Sequence, residues 1–136
     1  MLAVDPGSKT AGWALFEKGV LVDSGQFKAS SSMPIHRRLQ VLYDKFTEHQ
    51  APDVISIERL RGSMSHAYLF WAVGIAVTAV RAPIMLEVPI NVWKATVPKD
   101  YVKTDQADAE SIGEAVVMIA REIELEKKNE KKHKRY

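Results

Sequence analysis

Apolar and polar positions fall along this chain in blocks whose period marks the elements. Leu2-Ala3-Val4 is a continuous apolar run, the pattern of a buried strand, and it ends in a carboxylate, Asp5. Pro6 and Gly7 stop it. A second run, Trp13 to Phe16, meets Glu17-Lys18-Gly19, where Gly19 suits the positive φ of a tight hairpin turn, and a third run, Val20 to Phe27, returns. After the polar linker Ala29 to Ser32, the apolar positions Ile35, Leu39, Leu42 and Phe46 follow at steps of four, three and four. That spacing predicts an amphipathic helix with Arg37, Arg38, Lys45 and Glu48 on its wet side. Ser32 is its candidate N-cap, Pro34 fits its first turn, and Ala51-Pro52 ends it. Asp53 to Glu58 reads as a strand that follows a helix without a hairpin turn, so it is expected to run parallel to its neighbour.

From Ser65 to Val80 the chain is apolar on nearly every side, the signature of a helix buried all round. It is too short for a bilayer, which needs about 20 apolar residues. A domain of this size covers one face of such a helix. The other face, lined by Phe70 and the small residues Ala72, Ala76 and Ala79, is predicted to meet a second copy, giving a homodimer. Ile84 to Val88 reads as a further buried strand, Pro89 to Val97 as a turn or short helix with Trp93 in the core, and Pro98 to Lys103 as a polar connection. A last helix starts near Thr104 or Asp105 and carries the stripe Ala109, Ile112, Val116, Ile119 and Ile123. The stripe ends at Glu124. Residues 1–124 are therefore expected to form the domain, and 125–136 a frayed, solvated basic tail able to touch phosphates.

Charge sharpens this division. Residues 127–136 hold six Lys or Arg and one Glu, a net +5; against +2 for the whole chain, this leaves −3 for the rest. A body of that sign is not a general nucleic-acid surface. It fits an ordinary soluble domain, or an acidic metal site bordered by local cations. Asp5 and Lys9 interrupt any N-terminal apolar run, so no signal peptide is expected and the cytoplasm is the expected compartment. Cysteine is absent and histidine scattered, which removes thiolate chemistry and favours oxygen ligands for a hard cation such as Mg²⁺ or Mn²⁺.

Three stretches carry candidate chemistry, and each has an ordinary alternative. Asp5 can cap the turn that follows it, and Gly7, Ser8 and Thr10 resemble the first phosphate loop of actin-like ATPases, whose site lies between two domains. Glu58 can form a surface ion pair with Arg59 or Arg61. Asp105 and Asp108, one turn apart, can serve the dipole and cap of the last helix. The order strand, hairpin, helix, strand, helix, strand, helix allows the first and fourth strands to be neighbours. Asp5 and Glu58 would then lie side by side, with the first turn of the last helix over the same edge. Carboxylates gathered this way repel and raise one another's pKa. Two divalent cations about 4 Å apart would remove that cost and clamp a phosphodiester.

Taken together, Asp5-Pro6-Gly7-Ser8-Lys9 with Gly12-Trp13, then Ile57-Glu58, then Asp105-Gln106-Ala107-Asp108-Ala109, resemble the motifs of the RuvC-type Holliday junction resolvases, in family order over most of residues 1–120. The resemblance implies an α/β, ribonuclease H-like fold: a mixed five-stranded sheet, antiparallel hairpin plus parallel strands, flanked by helices. It implies an endonuclease that resolves four-way and other branched DNA by paired nicks, and the small size suggests a phage-type member acting in the host cytoplasm. Asp5, Glu58, Asp105 and Asp108 would be the catalytic and metal-holding residues for two Mg²⁺ ions, with Mn²⁺ able to substitute. Ser8, Lys9, Arg59 and Arg61 would border the site on DNA. Lys94, Lys99 and Lys103 stand in for phosphate contacts that the family places on a longer segment, and Leu60, Arg61 and Gly62 occupy the place of its aromatic wedge. Three other readings remain: a monomeric ribonuclease H-like RNA nuclease of the YqgF type, a non-catalytic DNA-binding module, and an actin-like half-domain.

Overall fold

The computed structural model describes residues 1–5, 10–28, 30, 32–48, 52–59 and 80–133. Strands β1 (Leu2–Asp5), β2 (Thr10–Glu17), β3 (Val20–Lys28), β4 (Val54–Glu58) and β5 (Ile84–Val88) form one sheet in the order β3-β2-β1-β4-β5. β1, β2 and β3 pair antiparallel; β4 pairs parallel with β1, and β5 parallel with β4. This is the mixed sheet that the resemblance implies. The β2–β3 turn has positive φ at both Lys18 (51°) and Gly19 (78°), the conformation that matches the twist of a two-residue hairpin. Helix α1 (Ile35–Thr47) lies on one face of the sheet. The short α2 (Ile90–Lys94) follows β5, and α3 (Asp105–His133) covers the other face.

Strand alternation divides the core between the two faces. Leu2, Val4, Ile55 and Ile57 pack with Leu42, Phe46 and Val80 on the α1 side. Ala3, Ala14, Phe16 and Val88 pack with Trp93, Ala109, Ile112 and Ala115 on the α3 side. β1 is thus buried on both faces, as its unbroken apolar run requires. Phe27 links the hairpin to the α1 core, stacking on Trp13 at 5.9 Å and meeting Phe46 edge-on at 5.2 Å.

Four expectations change. Ser32 does not cap α1: Pro34 holds that position with no side-chain bond, while the Ser32 hydroxyl shares a 2.7 Å hydrogen bond with Ser30. β5 is not a buried strand but the sheet edge, with Ile84, Met85 and Leu86 exposed and only Val88 enclosed. The stripe of α3 is buried only as far as Val117; Ile119 and Ile123 are 42 % and 46 % exposed. A helix of 29 residues spans about 43 Å, whereas the eight-residue β2 spans about 27 Å, so the second half of α3 outruns the sheet. Nor does the chain fray at Glu124, since helical structure continues to His133. The predicted helix from Ser65, with Phe70, Ala72, Ala76 and Ala79, lies outside the described residues apart from helical, buried Val80. Among the described residues, no helix is long and apolar enough to cross a membrane.

Candidate metal centre

The site begins with strand parity. Ala3 faces α3, so Asp5, two residues on, faces α3 as well. On β4, Ile55 and Ile57 face α1, which sends Glu58 to the α3 side. Val4 pairs with Ile57 in the parallel register, and Asp5 and Glu58 follow at the carboxyl ends of these adjacent central strands. Both acids thus leave the sheet at one edge and on one face, as the strand order predicts.

Helix α3 supplies the other two. Its first turn crosses the sheet at Gly12, the β2 partner of Asp5. A Cβ built on Gly12 would stand 1.7 Å from the Asp105 carbonyl oxygen and 2.6 Å from the Gln106 nitrogen. No side chain fits there, and glycine lets the helix backbone rest directly on the strand. Side chains then fix the turn sideways. Gln106 donates through Nε2 to the Ser24 hydroxyl at 2.9 Å, and its backbone N–H donates to Gln26 Oε1 at 3.2 Å. Ser24 in turn donates to Glu110 at 2.6 Å. Capping falls to Thr104, whose hydroxyl accepts the Ala107 N–H at 3.0 Å and whose carbonyl accepts the Asp108 N–H at 2.9 Å. Asp105 is therefore not needed as the cap, although its place in the first turn still suits the helix dipole.

The outcome is a cluster in which ligand atoms of Asp5, Asp105 and Asp108 all lie within 4.8 Å of one another. Asp108 is buried, and Asp5 and Asp105 are half-buried. Burial pushes the Asp5 carboxyl up to about 8, with the charges of Asp105, Asp108 and Glu58 adding to the effect in that order. Glu58 lies outside the close trio but feels the same field: burial and then Asp108 raise its pKa, while Lys94 and Lys103 lower it. Arg59 pairs with Glu87 at 3.7 Å rather than with Glu58, and Arg61, the other candidate partner of Glu58, lies outside the described residues. Three carboxylate oxygens converging from elements a hundred residues apart, one of them driven to hold a proton at neutral pH, are a donor set suited to a hard divalent cation. These residues could hold a metal ion.

Of the predicted phosphate contacts, Lys94 and Lys103 line a cleft of about 260 Å³ with Trp93, Val97, Tyr101 and Asp108, beside the acids. Lys94 Nζ sits 5.9 Å from the centre of the buried Trp93 ring. Arg59 is exposed on the neighbouring strand end, and Lys99 is exposed on the connection. Ser8, Lys9 and Arg61 lie outside the described residues. Tyr101, whose phenol donates to Asp108 Oδ1, carries no signal in the sequence beyond being an aromatic in a polar connection.

No protein family matches the sequence, and neither does any curated protein. Solved structures do match the fold. RuvC of T. thermophilus in complex with Holliday junction substrate superposes with a TM-score of 0.74 at 16 % identity, over 88 % of this chain and 93 % of that one. The structure of Thermus thermophilus RuvC itself gives 0.70 at 18 % identity, over 89 % and 96 %. The Fowlpox virus resolvase, in a complex with substrate Holliday junction DNA, gives 0.54 at 14 % identity, over 86 % and 97 %. The chain has the ribonuclease H-like fold of the RuvC-type Holliday junction resolvases.

Proposed function

We propose that this protein is a divalent-metal-dependent endonuclease that resolves four-way junctions and other branched DNA by paired nicks. One observation carries the reading: acidic side chains from β1 and from the first turn of α3 converge at a cost that a divalent cation would offset, with Glu58 of β4 in the same field. The likeness of the fold to two resolvases solved with Holliday junction DNA supports the substrate class.

Asp5, Glu58, Asp105 and Asp108 are the catalytic set and would hold two Mg²⁺ ions, with Mn²⁺ as a substitute. When bound, such ions supply positive charge to a phosphodiester and make water a stronger nucleophile. Asp5, between the two strand ends and α3, must give up its proton before it can bind a cation, so affinity rises with pH through about 8. Lys94 and Lys103, lining the adjoining cleft, would take phosphates on either side of the cut. Arg59, exposed at the end of β4, would add a phosphate contact, and so would Ser8, Lys9 and Arg61, which lie outside the described residues. A homodimer through Phe70, Ala72, Ala76 and Ala79 would match the two-fold symmetry of a junction and give opposed cuts. Residues 1–124 would form the nuclease and 125–136 a basic tail.

The test is cleavage of labelled duplex, flap, four-way junction and RNA/DNA hybrid by the wild type and by Asp5→Asn with Mg²⁺. The junction should be cut and the others spared, and Asp5→Asn should bind the junction without cutting. Cutting by the variant would end the metal assignment. Preference for the hybrid would point to the RNA nuclease instead.

A further inference from the structure

Asp108 reaches the acid cluster already engaged. The Tyr101 phenol, on the connection before α3, donates to Asp108 Oδ1. The Ser111 side chain, one helical turn beyond Asp108, neighbours the same phenol. The connection is itself held, since the Tyr101 N–H donates to the Pro98 carbonyl at 3.1 Å. The phenol thus reaches the carboxylate from an anchored connection, with Ser111 beside it. A hydrogen bond from a neutral donor to an ionised oxygen is among the stronger kinds. One of the two Asp108 oxygens is committed to it, so a cation takes the other or competes with the phenol.

That arrangement bears on which cation the site accepts. Mg²⁺ and Mn²⁺ are small and take one oxygen per carboxylate in a near-octahedral shell. Ca²⁺ takes six to eight oxygens and accepts both oxygens of a carboxylate. Resting on the metal reading above, we propose that Tyr101 is a positioning residue that holds Asp108 to one-oxygen ligation and so selects small octahedral cations over Ca²⁺. Ser111 supports it by orienting the phenol. Removing the phenolic hydroxyl releases the second oxygen to Ca²⁺ and takes away the fixed orientation that Mg²⁺ and Mn²⁺ use.

The experiment is calorimetric titration of Mn²⁺ and of Ca²⁺ into the DNA-free protein, wild type against Tyr101→Phe and Ser111→Ala, with melting in EDTA as the check on folding. The ratio of Mn²⁺ to Ca²⁺ affinity should fall about tenfold in Tyr101→Phe, the scale of other outer-shell losses, and by a smaller factor in Ser111→Ala. If Tyr101→Phe fails to fold, Ser111→Ala decides alone. Wild-type binding of Mn²⁺ with an unchanged ratio in the folded variants overturns the role of Tyr101 and leaves the metal centre standing. A wild type that binds neither cation overturns both.

Discussion

The two halves of α3 belong to one unbroken helix and meet opposite fates. In the first half, Asp105 and Asp108 press against the sheet, and Ala109, Ile112, Ala115 and Val117 are buried beneath them. In the second half, Ile119, Ile123 and Leu125 are exposed and every charged side chain described is in water. The difference does not lie in helix formation, since Ala and Glu in the first half and Glu and Lys in the second are all good helix formers. It lies in what the sheet offers. Where β2 presents Gly12, the helix backbone can touch the strand, and its acids are forced into the field of Asp5. Where the sheet has ended, the same kind of residue costs nothing. An acid cluster is thus a product of close packing, and the way to break it is to hold the helix away.

Gly12→Ala does that most directly. The added methyl meets main-chain atoms of Asp105 and Gln106, which cannot swing aside as a side chain could. The first turn of α3 must lift, and overpacking of this kind should cost about 3 kcal/mol. Urea denaturation measures the loss, and calorimetry should find Mn²⁺ binding gone with it. A variant of full stability that still binds metal would mean that contact with the strand does not assemble the site.

The second test acts on the cluster without moving it. Folding raises the pKa of Asp5 from its ordinary value to about 8, so between those limits the folded protein holds a proton that the unfolded chain releases. Stability without metal should therefore fall as pH rises from 4 towards 8, by up to about 1.4 kcal/mol per pH unit. Glu58, also raised, contributes in the same direction. Asp5→Asn should flatten most of this slope and leave the protein more stable at pH 8 in EDTA. Saturating Mg²⁺ should flatten it in the wild type, because the cation replaces the proton. Thermal melts across pH in the two proteins check the sign, and a wild type whose stability rises over this interval would contradict the crowding of acids.

What the sequence reveals follows the same division. The strand ends and the first turn of α3 are legible, because period and punctuation are local: Val4 runs into Asp5-Pro6-Gly7, Ile57 into Glu58, and Thr104 opens a helical stripe. Chain order then brings the acids together, since a parallel β4 beside β1 leaves both carboxyl ends on one edge. The edge position of β5 is not legible, because Ile84-Met85-Leu86 reads alike in the middle of a sheet and at its border. Helix beyond Glu124 is missed for another reason: the apolar stripe stops while helix propensity continues, and periodicity detects packing rather than helix. Tyr101 depends on how a polar connection is folded, which no pattern of spacing records.

The smallest effect is expected at the far end. Residues 125–132 are exposed and belong to neither core cluster, so a chain ending at Glu124 should keep its stability within about 0.5 kcal/mol. Removing six cations and two acids should still act on DNA. Every phosphate that the shortened chain no longer neutralises makes the dependence of junction affinity on salt shallower by about one in log–log slope. The slope should therefore drop by a few, with the cutting rate at saturating DNA unchanged. If the truncation instead destabilises as much as Gly12→Ala, the second half of α3 is packed in solution against something, and the contrast between the halves would hold only for an isolated chain. Dilution separates those cases: a loss that grows as the protein is diluted identifies a second copy as the cover for Ile119 and Ile123.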